Sequence, residues 1–256
     1  MYAPLTKRTW YAMFDSMRAD ARALGWSAYV VYAASRALCR LSHGRIELLM
    51  YRLVAQPIVA QPRVAPGRGA TRAEFKRIER DDPLVAQVPR PTKVIAQRFA
   101  DGATCYGAVL DGGLAAFIWI AERQYLEDEA RCLYWIDPTT SAVWDYDIYV
   151  RPDLRAGRLF GRLWDYVNAT LGSSGYRWSI SRISAFNAAS LAAHRRLDAR
   201  IIGTCVFLAI GRAQVSFSSI APYFHVALNE SSFPTLRLRP PRGDYERGAR
   251  RNETVT

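Results

Sequence analysis

Between residues 93 and 150 the chain is a succession of strand-length apolar segments cut by turn signals. After residue 157 it changes to alternating helix and strand. KVIAQRF, TCYGAVL and LAAFIWIAE are separated by Asp101-Gly102 and Asp111-Gly112-Gly113, residues that tolerate the positive φ a tight hairpin needs. RCLYWI and AVWDYDIYV flank Asp137-Pro138-Thr139-Thr140, a turn composition. The spacing predicts an antiparallel meander of about four to five strands. Beyond it we expect a helix from about Gly157 to Leu171, stopped at Gly172, then a strand at 177–184 and a helix at 188–198. A strand at 201–210 and one more near 213–227, from AQVSFSS or FHVAL, complete the pattern. These elements predict an α/β (α+β) fold in which a mixed, mostly antiparallel central sheet is flanked by helices.

The N-terminal part is different in texture. Residues 7–24 place Trp10, Met13, Phe14, Met17, Ala21 and Leu24 on one helical face, and 27–42 resume as a second helix with Tyr29, Val30, Ala33 and Leu38. IELLMYRLV at 46–54 reads as a buried strand. The stretch 55–70 carries Pro57, Pro62, Pro66, Gly67 and Gly69 and reads as an extended connection. Thr71 and Glu74 make a capping-box pattern that predicts a short helix through Arg80. From Pro234 the chain is rich in Pro and Arg, which predicts a largely disordered tail. The expected organisation is thus a helical extension over 1–45, a main domain over 46–230 and a basic tail over 231–256.

Half of the 256 residues are hydrophobic and 23% are charged, as in ordinary globular proteins. The net charge of +12 favours an anionic partner without choosing among phosphorylated cofactor, nucleic acid and membrane surface. Nucleic-acid binding gains no positive sign, because no RNP-like, zinc-finger or helix-turn-helix pattern is present. The segment from Glu122 to Asp153 is acidic instead, which suits an amine substrate. Cys39, Cys105, Cys132 and Cys205 form no CxxC pair and have few histidines near them, so no metal site is expected and the thiols read as core residues of a cytoplasmic protein. No segment is long and apolar enough to span a bilayer. The basic amphipathic N-terminal helices are expected to pack on the domain, join two copies as a homodimer or rest peripherally on a membrane.

The junction at 149–164, YVRPDLRAGRLFGRLW, leads a strand through an arginine-bearing turn into a helix. Amides at a helix N-terminus are unpaired, and the helix dipole favours an anion there. Val150-Arg151-Pro152 ends the strand, Arg155 opens the turn, Asn187 begins a later helix and His194 follows seven residues on. This ordered set resembles the GNAT family of acyl-CoA-dependent N-acyltransferases over roughly residues 46–215, most strongly at 142–211, with the N-terminal helices as an addition. The resemblance implies acetyl-CoA or another acyl-CoA as co-substrate and a small-molecule or peptide amine as acceptor. It implies a pyrophosphate turn at Arg155, Ala156, Gly157, Arg158, Phe160 and Gly161, although Arg158 and Phe160 stand where the family has glycine-type residues. It also implies that the main chain of Ile148, Tyr149 and Val150, on a strand splayed from its neighbour, and the Asn187 side chain hold the pantetheine arm.

Direct attack of an amine on a thioester needs a base, an oxyanion donor and an acid for the leaving thiolate. Strict alternation along AVWDYDIYV puts Asp145, Asp147 and Tyr149 on one face and Trp144, Tyr146, Ile148 and Val150 on the other. Asp147 and then Asp145 are the candidate bases, since mutual repulsion and partial burial raise a carboxyl pKa. His194 stands where the family carries the tyrosine that protonates the thiolate. Two other readings stay open: a catalytically decayed, basic binding module for an anionic partner, and an acyltransferase fed by a longer acyl-CoA or an acyl carrier protein.

Overall fold

The computed structural model describes residues 25–59, 61–64, 73–127, 129–137, 139, 141–155 and 157–241. The predicted helix at 7–24, Thr71 of the capping box and Ala156 lie outside the described residues. The chain divides into two compact units. The first combines the N-terminal residues through Val54 with Glu127–Cys132 and Arg182–Thr235. The second combines Ala55–Leu126, Leu133–Ser181 and the residues from Leu236 onward.

The second unit holds most of the predicted meander. Strands β2 (Glu74–Ile78), β3 (Thr104–Leu110), β4 (Gly113–Ala121), β7 (Ala142–Val150) and β8 (Trp178–Ser184) lie side by side in the order β8-β7-β4-β3-β2. Pairing is antiparallel from β2 to β7, and β7 pairs with β8 in parallel. Strand β8 is divided between the units at Ser181 and Arg182, as β1 (Ile46–Pro57) is at Val54 and Ala55. Asp111 and Gly112 both take positive φ and close the β3–β4 hairpin, as predicted. Two short strands, β5 (Gln124–Glu127) and β6 (Cys132–Ile136), join β12 (Thr235–Leu238) in a small sheet.

One face of the larger sheet is covered by the 3₁₀ turn Pro83–Gln87 and helix α2 (Thr92–Ala100). Here Leu84, Val88 and Ile95 pack with Ile78, Cys105, Phe117 and Trp119. Helix α3 (Leu159–Ser173) packs on β3 and β4 through Leu163, Trp164, Val167 and Leu171. Its Tyr166 meets Phe75 and Tyr106.

Three local expectations are corrected. KVIAQRF, read as a strand, is α2: Ile95 and Phe99 are four residues apart on the core side, and Asp101-Gly102 is its C-terminal cap and not a hairpin turn. Gly102 at φ 79°, with the Ala103 amide bonded to the Arg98 carbonyl, makes the closing geometry. Residues 74–78, expected in a helix, are strand β2, because register with β3 pairs Ile78 with Cys105 and buries it. Within the expected disordered tail, Thr235–Leu238 is β12, in which Leu236 and Leu238 alternate into the interior.

In the first unit, helix α1 (Trp26–Leu41) precedes β1. Strands β9 (Arg200–Ile210), β10 (Ala213–Ser218) and β11 (Phe224–Ala227) continue from β1 in the order β11-β10-β9-β1. Both AQVSFSS and FHVAL contain strands, paired from Gln214–Ala227 to Phe217–Phe224. Helix α4 (Ala188–Arg195) lies between β8 and β9 in the chain.

Candidate functional site

Strand β7 is buried on every side chain from Ala142 to Asp145, and then Tyr146 to Tyr149 are only half-buried. The parallel ladder explains the change. It pairs Ala142 with Trp178, Val143 with Ser179 and Trp144 with Ile180, and stops there. On its other edge β7 remains paired to β4 as far as Val150. Residues Ile148, Tyr149 and Val150 therefore lie beyond the β8 ladder.

The pairing with β4 is broken once. Trp119 faces Tyr146 and Phe117 faces Tyr149, so Asp147 and Ile148 together oppose Ile118. This is a β-bulge, with Asp147 at φ 49°. The bulge overturns the expected alternation. Tyr146 and Tyr149 both pack on the α2 face, Tyr149 stacked on Phe117, whereas Asp145 points away from that face and bonds to Ser179.

The two aspartates consequently have separate surroundings. Arg90 Nε donates to Asp147 Oδ2 at 2.9 Å, its Nη2 pairs with Oδ1, and Arg98 Nη1 pairs with Oδ2. Arg98 lies over the rings of Trp119 and Tyr146, and Arg90 over Phe117. Asp147 is thus the shared acceptor of two guanidiniums. Asp145 is buried and accepts from Ser179 Oγ at 2.7 Å. Burial pushes its carboxyl up to about 7, against the opposing pull of the Ser179 hydrogen bond. Repulsion from Asp147 has no part in that shift.

At the end of β7, Arg155 Nε donates to the Val150 carbonyl at 3.0 Å, and a 3₁₀ turn at Pro152–Leu154 leads toward α3. Gly157 donates to the Leu154 carbonyl, and the first intrahelical bond runs from Arg162 to Arg158. The amides of Leu159 and Gly161 precede that bond, at the end of the helix where the dipole favours an anion. No acidic residue stands in the first turn, and Arg155 and Arg158 flank it, so the residues fit a diphosphate by charge. Gly161 has a partner within the chain. A Cβ there would lie 2.6 Å from Val64 Cγ2, and Asp165, one turn on, accepts from the Arg63 and Val64 amides.

Asn187 and His194 belong to the first unit. Asn187 is the N-cap of α4, its Oδ1 accepting from the Ser190 amide at 3.0 Å. His194 is buried, and burial lowers its pKa to about 4, so the imidazole is neutral at pH 7. The same unit contains a buried ion pair: Arg182 Nη2 donates to Glu127 Oε1 at 2.6 Å and reaches Glu129 at 3.1 Å, while lying over the Tyr51 ring. The Tyr51 hydroxyl donates to Glu129, and burial raises its pKa.

Four acids of the stretch are therefore matched by the chain's own arginines: Asp147 by Arg90 and Arg98, Glu127 by Arg182, Asp137 by Arg239 and Asp153 by Arg151. Arg90 and Arg98 are the residues that sequence reasoning passed over. Their signal was the Pro91-to-Gly102 interval, which read with helical spacing brings Arg98 beside the Ile95–Phe99 stripe. Among the described residues no group of three or more His, Cys, Asp or Glu side chains is placed to hold a metal.

No family model and no curated protein matches the chain. Among solved structures it is similar to a putative acetyltransferase from the GNAT family of Novosphingobium aromaticivorans, at 15% identity and TM-score 0.44 over 64% of each chain. It is also similar to a tandem GNAT protein from the clavulanic acid biosynthesis pathway, at 15% identity and TM-score 0.46 over 68% of this chain and 57% of that one. A functionally unknown conserved protein from Staphylococcus epidermidis has 9% identity and TM-score 0.46 over 68% and 66%. The chain spans less than two thirds of the length of each of these structures. The chain's own order of elements, with a short parallel β7–β8 ladder that leaves the end of β7 beyond it, makes a mixed, mostly antiparallel α/β fold flanked by helices.

Proposed function

We propose that the chain transfers an acyl group from an acyl-CoA to a primary amine by direct attack. The observation that carries this reading is the end of β7, where the parallel ladder stops at Trp144–Ile180 and the strand runs on into the turn that opens α3. An acyl-CoA, when bound, supplies an activated thioester. Its diphosphate is taken by the first amides of α3 with the guanidiniums of Arg155 and Arg158. The open edge of Ile148, Tyr149 and Val150 takes the pantetheine arm in strand-like hydrogen bonds, and an amide there faces the developing oxyanion.

Asp145 holds the proton that the amine must lose. Its pKa near 7 suits that task, and the Ser179 hydroxyl that donates to it fixes the carboxyl's orientation. Asp147 has the different task of anchoring the β7 bulge between Arg90 and Arg98. His194, neutral and buried in the first unit, is assigned no step.

A second reading, a basic anion-binding module without turnover, draws support from Asn187, Asp147 and Gly161, each of which already has a structural partner. Titration calorimetry with acetyl-CoA, CoA and longer acyl-CoAs, followed by thiol release in the presence of small amines and amino-terminal peptides, separates the two. Binding with amine-dependent thiol release supports the enzyme. CoA binding without release under any amine supports the module, and no binding at all removes both the acyl-CoA reading and the diphosphate site.

A further inference from the structure

Helix α1 is apolar on the side that faces away from the protein. Trp26, Val30 and Leu41 are 68%, 61% and 81% exposed, and Ala33 and Ala37 continue the same stripe at helical spacing. The opposite side makes the contacts. Ala28 is buried, Tyr32 meets the Phe186 ring, and Ser35 Oγ donates to the Leu48 carbonyl. A surface helix ordinarily presents polar residues outward, and among the described residues nothing covers this apolar stripe.

Charge selects what covers it. Arg36 and Arg40 border the stripe on one side, Arg45 is exposed just past the helix, and no acidic residue occurs between Trp26 and Leu41. The preceding 24 residues add Lys7, Arg8, Arg18 and Arg22 against Asp15 and Asp20, the same sign again. A second copy meeting this stripe across a two-fold axis would set arginine row beside arginine row with no acid between them. The stripe needs an apolar phase, and its border needs negative charge.

We infer that α1 is an in-plane membrane helix that seats its Trp26–Leu41 stripe in the surface of an anionic lipid bilayer, with Arg36 and Arg40 at the phosphate level. Its 16 residues reach about 24 Å at 1.5 Å per residue, less than the hydrocarbon thickness of a bilayer. No helix among the described residues is long and apolar enough to cross a membrane. The helix therefore lies on the surface, with Trp26 and Tyr29 at the depth that aromatic side chains favour. This inference stands independently of the acyl-transfer reading.

Co-sedimentation of the full chain with phosphatidylcholine vesicles, with and without phosphatidylglycerol, tests it. Partitioning onto the anionic vesicles is expected to be roughly tenfold stronger and to weaken as salt is added. Val30→Glu combined with Ala37→Glu, both at outward positions, should lower binding about tenfold or more with circular dichroism unchanged. Arg36→Gln with Arg40→Gln should keep weak binding and remove the preference for anionic lipid. Equal binding to neutral vesicles, or none to either, overturns the inference. So does self-association in the ultracentrifuge that Val30→Glu abolishes, or binding lost in Phe14→Glu but kept in the α1 double variant.

Discussion

Tyr146 and Tyr149 stand on the same face of β7 although two residues lie between them, a spacing that regular alternation would send to opposite faces. Asp147 between them takes φ 49°, and with Ile148 it opposes the single residue Ile118 of β4. The bulge carries Asp147 to Arg90 and Arg98, whereas Asp145 turns toward Ser179. One inserted residue thereby gives two neighbouring carboxylates separate tasks.

The arginine clamp is expected to carry stability. Asp147 and Arg98 have side chains only 12% and 13% exposed, so truncating Asp147 strips a largely buried guanidinium of its carboxylate, and truncating Arg98 leaves that carboxylate with Arg90 alone. Arg98→Met and Asp147→Asn should each cost about 3 kcal/mol in urea unfolding. The double variant should cost clearly less than the sum of the two. Additive losses would show that the pair is not coupled.

Asp145 and His194 should tilt the pH dependence of stability in opposite senses. Asp145 has its folded pKa raised from 3.8 to about 7, so it stabilises below 3.8 and loses that contribution as pH rises through 7. His194 has its folded pKa lowered from 6.5 to about 4, so its contribution is present above 6.5 and is lost as pH falls through 4. The shifts correspond to roughly 4 kcal/mol at most for Asp145 and roughly 3 kcal/mol at most for His194, and over pH 4 to 6.5 they largely cancel. Asp145→Asn should therefore make stability rise more steeply with pH across that window, and His194→Gln should make it fall. Parallel profiles for the two variants and the parent would refute both assignments.

Gly161 offers a contest of signs. Alanine within a helix ordinarily gains up to about 1 kcal/mol over glycine, and less in the first turn, where Gly161 stands. Here the new Cβ meets Val64, whose backbone is tied to Asp165 on the same helix. Gly161→Ala should be destabilising by about 1 kcal/mol, and adding Val64→Ala should reverse the sign. Thermal unfolding of the two variants decides it, and a stabilised single variant would show that the 61–64 segment moves aside without cost.

If the turn before α3 holds a diphosphate, Arg158→Ala should weaken CoA binding about tenfold through loss of a charge-assisted contact. The same change should flatten the salt dependence of binding and leave pantetheine, which lacks the diphosphate, unaffected. Equal losses for CoA and pantetheine would place Arg158 elsewhere in recognition.

Much of the fold was legible because local chemistry and tertiary context agreed. Asp111-Gly112 supplies two positive-φ residues that only a tight hairpin requires, and Asn187 caps α4 with its own side chain. The apolar spacing of Leu163, Trp164, Val167 and Leu171 has the period of a helix that buries one face. Where short segments were ambiguous, packing chose. Val94 and Ile95 suit a strand, yet Pro91 and Gly102 bound a helix whose Ile95 and Phe99 reach the sheet. Glu74–Ile78 suits a helix, yet the free edge of β3 draws it into a ladder.

The order of strand, arginine turn and helix at 142–173 was determined by the sequence itself, through periodicity, the Val150-Arg151-Pro152 stop and the absence of acid at the helix start. Only the tertiary structure decided what the charged residues there do. A bulge is a property of two strands in register, and neither AVWDYDIYV nor LAAFIWIAE alone records which residue is left over. The partners of Asp147 lie 57 and 49 residues away. The pKa of Asp145 follows from burial, which no neighbour in sequence supplies. Backbone patterns are short-range and readable, whereas electrostatic roles are set by contacts between distant parts of the chain.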